Sequence, residues 1–187
     1  MELFILNEYG QFAASGVTLS FYDKNNPGVH GNFEGRKEYG PDGRRVFNEE
    51  GNQYFNIRID NEEDANTLYG LGYRVKEVPA NDRRDKYYLL KIRVNFDSFR
   101  PPYILMSSYS GDTVLDRHTC GILDRADIED VKITVNPSRV DENGMRTAYL
   151  GEFLCRKREG FWQSRNRASS SQEPLYDVNS NDNDIQF

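Results

Sequence analysis

Hydrophobic and polar positions alternate along much of the chain with a period of two, the signature of strands rather than helices. The clearest run covers residues 87–96. Tyr88, Leu90, Ile92, Val94 and Phe96 fall on one face, and Lys91, Arg93 and Asn95 on the other. The same pattern over 54–59 puts Phe55, Ile57 and Ile59 on one side. Shorter runs at 17–22, 73–78, 103–106, 131–135 and 147–150 read as strands, with Phe4-Ile5-Leu6 as a further candidate. The turn Asp141-Glu142-Asn143-Gly144 joins the last two runs as a hairpin. Helical signals are fewer. Asn61 is a capping residue, and Glu62, Glu63 and Asp64 suit the positive end of a helix dipole. Ala65, Leu68 and Tyr69 follow, and Gly72 suits a left-handed cap. A second short helix is predicted over 116–123.

Breaks in the pattern give the domain plan. Residues 23–52 are dense in turn formers, including Asn26-Pro27-Gly28 and Gly40-Pro41-Asp42-Gly43. A loop of that length in a compact domain is usually functional or mobile. Arg100-Pro101-Pro102 interrupts the strands once more. Five or more strands with one or two short helices make a mainly β domain. Both a five-stranded Greek-key barrel and a sandwich fit that count. After Phe153 the composition changes. Residues 1–155 read as the folded domain. Residues 156–167 read as a basic extension with five bases and one acid. Residues 168–187 are a polar linker and acidic tip too poor in apolar groups to fold alone.

Charge refines this picture. The chain of 187 residues carries a net charge of −6. Four acids and no bases lie in residues 168–187, so residues 1–167 hold 24 bases against 26 acids. A nearly neutral body can still present a cationic face, and phosphate affinity follows local cations rather than the sum. No apolar run approaches the ~18 residues of a membrane helix, and the N-terminal residues lack the basic start of a secretory signal. Two cysteines, Cys120 and Cys155, do not make a disulfide framework, so a reducing, cytoplasmic setting is expected.

Catalytic chemistry finds little support. His30, His118, Cys120 and Cys155 match no zinc spacing, and no motif accompanies a Cys-His nucleophile. Asp124, Asp127, Glu129 and Asp130 form an acidic run of the kind a Mg²⁺ nuclease uses, although such runs are usually solvated. Gly35 and Gly40 lack the following Lys-Ser/Thr of a phosphate loop. No cofactor is implied.

The C-terminus, Asn181-Asp182-Asn183-Asp184-Ile185-Gln186-Phe187, sets acids beside two apolar side chains. Asp182, Asp184, Ile185 and Phe187 suit a small apolar pocket on a partner, rimmed by bases. This tip resembles that of bacterial single-stranded DNA-binding proteins, with Gln186 where those have proline. A second resemblance covers residues 32–154. Asn32-Phe33-Glu34-Gly35-Arg36, residues 48–56, Gly70-Leu71-Gly72-Tyr73-Arg74-Val75-Lys76, Tyr87-Tyr88-Leu89, Arg100-Pro101-Pro102, Leu123-Asp124 and Ala148-Tyr149-Leu150 occur in that order. Together they resemble a bacteriophage family of single-stranded DNA-binding proteins. The resemblance implies an OB barrel and a role in coating single strands during phage replication, in the host cytoplasm. It departs from the family at Tyr73, where a tryptophan is expected, and at Asn136-Pro137-Ser138-Arg139, which lacks an aromatic.

Single-strand binding needs cations for phosphates and aromatic platforms for bases. Three clusters supply both. Phe33, Arg36, Lys37, Tyr39, Arg44, Arg45 and Phe47 lie in the long early loop. Tyr73, Arg74 and Lys76 begin one strand. Tyr87, Lys91 and Arg93 share the polar face of the longest run. The alternative for each is a core ring or a solvated charge. Residues 156–167, with Trp162, either grip DNA, bind the chain's own acidic tail, or are simply solvated. The expected function is sequence-tolerant binding and protection of single-stranded DNA in replication or recombination, with the tip recruiting partner proteins. Rivals are a strand-annealing accessory, a protein-interaction or virion module, and a metal nuclease. The sequence leaves the oligomeric state open, a homo-oligomer included.

Overall fold

The alternating runs form strands, and their order in space decides between barrel and sandwich. The computed structural model describes residues 1–20, 30–40 and 43–158. The chain opens with β1 (Glu2–Ile5), β2 (Phe12–Ser15) and β3 (Thr18–Leu19), followed by the short β4 (Gly31–Asn32), β5 (Glu38–Tyr39) and β6 (Val46–Asn48). β7 (Gln53–Ile59) leads through helix α1 (Glu62–Gly70) to β8 (Val75–Val78) and β9 (Tyr87–Val94). Next come β10 (Tyr103–Ser108), β11 (Gly111–Leu115) and a 3-10 turn at Cys120–Asp124, then β12 (Ile128–Pro137) and β13 (Ala148–Lys157).

β7 pairs antiparallel with β9, β9 pairs in parallel with the start of β13, and β13 pairs antiparallel with β12. β12 pairs with β2, and β3 pairs with β7. β2 and β3 are one stretch of chain bent at Gly16, whose φ of 62° favours glycine. The ring therefore runs β2/β3, β7, β9, β13, β12 and back. Numbered along the chain, its five staves stand in the order 1-2-3-5-4, with the parallel pair between the third and fifth. This is a five-stranded Greek-key barrel of the OB type, partly open where the ladder breaks at Gly16. The remaining strands are additions. β1 flanks β2, β8 flanks β9, β4 flanks β7, and β10 runs parallel to the second half of β13 and carries β11. β5 and β6 form a separate hairpin.

One core fills the barrel, drawn from the inward positions of every stave. Phe33 stacks on Phe55 at 5.0 Å between centroids, and both meet Phe153 edge-on at 5.6 and 5.4 Å. Such pairs add to simple area burial. Helix α1 caps one end through Ala65 and Leu68. Asn61 Oδ1 accepts from Glu63 N at 2.9 Å, and Gly72 has a φ of 89°, so both predicted end signals are used. No helix among the described residues is long and apolar enough to cross a membrane.

The structure corrects several elements. The helix predicted over 116–123 is reduced to a 3-10 helix at its end, Cys120–Asp124. Leu115 ends β11, Asp116 Oδ1 accepts from His118 N and Thr119 N, and only a 3-10 turn follows. β2, sequence Phe-Ala-Ala-Ser, goes unread because alanine has a weak strand preference. The strand predicted over 17–22 is Thr18–Leu19 here, and Phe21 and Tyr22 lie outside the described residues. The loop over 23–52 contains β4, β5 and β6.

Candidate nucleic-acid interface

The alternation that buries one side of β7 and β9 leaves polar side chains on the other. Register places Tyr54 opposite Arg93, Asn56 opposite Lys91 and Arg58 opposite Leu89. Tyr149 of β13 stands beside Arg93 on the far side, and Lys76 of β8 stands beside Leu89. A single outward face therefore carries Arg58, Lys76, Lys91 and Arg93 around the nearly covered Tyr54 and the half-buried Tyr149.

Three of the four cations on this face enter no ion pair among the described residues. Lys91 Nζ lies 3.4 Å from the Tyr54 ring centroid. Burial against that ring holds its ammonium below the usual lysine range, neighbouring Arg93 lowers it further, and Glu38 opposes both. A cation short of solvation gains from an incoming phosphate. Among the described residues no ion pair engages Lys76, Lys91 or Arg93. Arg58 pairs with Asp60 at 2.6 Å and lies 4.6 Å from the Tyr87 ring. A polar groove of about 200 Å³ opens between Tyr54, Lys91, Arg93, Asn95 and Tyr149.

The β5–β6 hairpin rises beside this face, and buried amides hold its base. Asn32 Nδ2 donates to Arg36 O at 2.8 Å and to Glu38 Oε1 at 3.0 Å, while Asn32 Oδ1 accepts from Arg36 N at 2.7 Å. Asn48 Nδ2 donates to Asn52 O at 2.9 Å. Tyr54 donates its hydroxyl to Glu38 Oε2 at 2.6 Å, which ties the hairpin to the sheet. At the hairpin's free end Tyr39 is 57% and Phe47 71% exposed, with Arg44 and Arg45 in the turn. Lys37 Nζ is 5.6 Å from the Tyr39 ring and 4.0 Å from Glu49. Behind the hairpin, buried Asp124 accepts from Phe33 N at 2.7 Å and Glu34 N at 3.2 Å and meets Arg36 at 3.5 Å. Burial pushes the Asp124 carboxyl up, against the pull of those two N–H groups and Arg36.

Not every nominated residue reaches this surface. Lys91, Arg93 and Lys76 stand on the sheet face, and Lys37, Tyr39, Arg44, Arg45 and Phe47 on the hairpin. Phe33 and Tyr73 are corrections. Both are 0% exposed. Phe33 belongs to the aromatic core, and Tyr73 packs edge-on against Phe12 at 5.4 Å while donating to Gly10 O at 2.7 Å. Tyr87 is nearly covered, with Arg84 5.3 Å from its ring in addition to Arg58. Arg36 serves Asp124 and Glu34, and Arg74 pairs with Asp141. Tyr54, Arg58 and Tyr149 were missed, although the first two are the outward half of the alternation that identified Phe55, Ile57 and Ile59. The tip residues Asp182, Asp184, Ile185 and Phe187, with Trp162, lie outside the described residues.

The alternative chemistries do not assemble here. Among the described residues no three potential metal ligands converge. Asp124 faces inward, Asp127 and Glu129 meet Arg158 at 3.7 and 3.2 Å, and Asp130 pairs with Arg156. Cys120 and Cys155 are buried thiols pushed up to about 11, which disfavours the nucleophilic thiolate.

A family model described as "Putative phage ssDNA-binding domain" matches residues 28–185. Comparison with curated protein sequences gives no match. Among solved structures, the single-stranded DNA-binding protein of bacteriophage Enc34 in complex with ssDNA is similar at 13% identity and a TM-score of 0.45. That match covers 81% of this chain and 88% of that one. Another structure of the Enc34 protein gives 11% identity and a TM-score of 0.46, covering 86% and 92%. The bacteriophage T7 single-stranded DNA-binding protein gp2.5 gives 10% identity and a TM-score of 0.33, covering 91% and 98%.

Proposed function

We propose that this chain, which belongs to the phage ssDNA-binding domain family, binds single-stranded DNA along the outward face of β7 and β9. The observation that carries the reading is the juxtaposition of Lys91 and Arg93 with Tyr54 and Tyr149 on that face. In an OB barrel this is the face of the second and third staves, the usual place for an oligonucleotide. Phosphates meet Lys91, Arg93 and Arg58, and bases stack on Tyr149. The β5–β6 hairpin, inserted between the first and second staves, flanks the track and offers Tyr39, Phe47, Lys37, Arg44 and Arg45. Stacking and backbone contacts tolerate any sequence. A duplex, whose bases already stack on one another, gains only the phosphate contacts. Binding of this kind needs no catalytic group. It suits a role in protecting single strands during phage replication or recombination, with Asp182, Asp184, Ile185 and Phe187 recruiting partner proteins.

The test is fluorescence anisotropy of labelled oligo-dT against duplex of equal length over a salt series, on the full chain and on a chain ending at Arg167. Single-strand preference that weakens with salt supports the reading. Unchanged affinity in the shortened chain, with loss of capture of replication proteins, supports the role of the tip. No binding by either version at low salt removes the proposal.

A further inference from the structure

A second concavity, of about 480 Å³, adjoins the cationic groove and shares Asn95 and Tyr149 with it. A strand lying along β7 and β9 therefore runs into it without leaving the surface. Its rim carries two of the most exposed rings among the described residues, Phe99 at 98% and Tyr9 at 67%. Both sit on braced turns. Asn7 Oδ1 accepts from Tyr9 N and Gln11 N at 3.1 Å each, and Asn95 Oδ1 accepts from Asp97 N at 3.0 Å. Ser98 Oγ donates to Arg100 O at 2.5 Å. An apolar ring held out in water contributes nothing to the core, and its braced backbone presents it to a flat ligand.

The chemistry around the rings points the same way. Gln11 Nε2 donates to Asn136 Oδ1 at 2.8 Å, so amide groups that match the edges of a base line the space. Arg100 also lines it, and no ion pair among the described residues engages that guanidinium. We propose that this concavity is a base-binding subsite at the end of the single-strand track, where Tyr9 and Phe99 hold a nucleobase and Arg100 meets its phosphate. The inference rests on the strand-binding reading above and extends the track beyond the sheet.

The experiment compares oligo-dT strands of roughly 4 and roughly 16 nucleotides, the span of site sizes for such barrels, on the full chain. The short strand occupies the cationic groove, and the long one reaches the subsite. Phe99→Ala and Tyr9→Ala should weaken the long strand by about fivefold or more and leave the short one unchanged. Arg93→Ala should weaken both. In a Trp162→Phe background, the indole introduced by Phe99→Trp should be quenched by the long strand. Unmodified-chain affinity of both alanine variants for the long strand, or an unquenched signal from the Phe99→Trp chain, overturns the subsite while leaving the sheet-face reading intact. So does a loss of self-association in the alanine variants without a change in DNA affinity. Failure of the unmodified chain to bind either strand removes both readings.

Discussion

Replacing Lys91 and Arg93 by alanine, singly and together, tests the sheet face directly. Their side chains project from the same side of β9 two residues apart, so the spacing is roughly 7 Å. That is short enough for successive phosphates of one strand. Each phosphate neutralised on a single strand contributes about 0.7 to the slope of log affinity against log salt. At 0.1 M salt one contact is then equivalent to roughly a fivefold gain in affinity, and two to roughly 25-fold. Arg93→Ala should therefore lower affinity about fivefold and reduce the slope by about 0.7. The double variant should reduce the slope by about 1.4. Lys91 packs on Tyr54, whose hydroxyl ties the β5–β6 hairpin to the sheet, so its removal also loosens that hairpin, and the affinity loss there should exceed what the slope accounts for. The assay is anisotropy titration of oligo-dT at four or more salt concentrations, with thermal unfolding as a control. Exposed surface substitutions usually change stability by no more than about 0.5 kcal/mol. An affinity loss with an unchanged slope would refute the assignment of these side chains to phosphates.

Three further outcomes follow from groups away from the sheet face. Tyr73→Phe should cost about 1–3 kcal/mol by leaving Gly10 O without its donor, yet leave DNA affinity unchanged. Urea unfolding beside the anisotropy assay separates those effects, and a selective loss of affinity would return Tyr73 to the interface. Gly16→Ala strains a positive φ with open space around it, so the cost is a backbone one of about 1 kcal/mol. A neutral or stabilising change in melting would show that the bend does not need glycine. Asp124 is raised above its ordinary 3.8 in the folded chain, with burial as the leading cause. The folded state therefore binds the proton more tightly than the unfolded one. Its contribution to stability is complete below about 3.8 and falls as pH rises through the folded value. Asp124→Asn should flatten that segment of the stability–pH curve, and an unchanged slope in urea midpoints across acid pH would contradict it.

How far the sequence carried can be seen at β9. Its alternation is long and its two faces differ sharply, so both the buried set and the cationic set were readable. Phe33 and Tyr73 were not, because an aromatic beside a base reads the same whether it fills a barrel or faces water. Three-dimensional neighbours decide, and those neighbours, Phe55, Phe153 and Phe12, are distant in sequence. The β5–β6 hairpin was hidden for a similar reason. Its base is fixed by Asn32, Asn48 and the Tyr54 hydroxyl rather than by any local pattern. Tyr54 and Arg58 were legible, since the face opposite Phe55, Ile57 and Ile59 had to point somewhere. The choice of barrel over sandwich required the Gly16 bend, and a lone glycine among short strands gives no sign of joining two ladders.

β13 touches β12 along one edge and β9, then β10, along the other, and it is the last strand among the described residues. Synthesis at 5–20 residues per second takes roughly 8 to 30 s to reach its end. Until then β9 lacks its parallel neighbour and β12 its main partner, so the ring cannot shut. The emerging polypeptide therefore carries the β7–β9 face before its barrel is closed, and closure waits for β13. Until β13 is made, the edge of β12 away from β2 and the Ile92–Arg93 end of β9 lack their neighbour, and these are the places a nascent barrel leaves open.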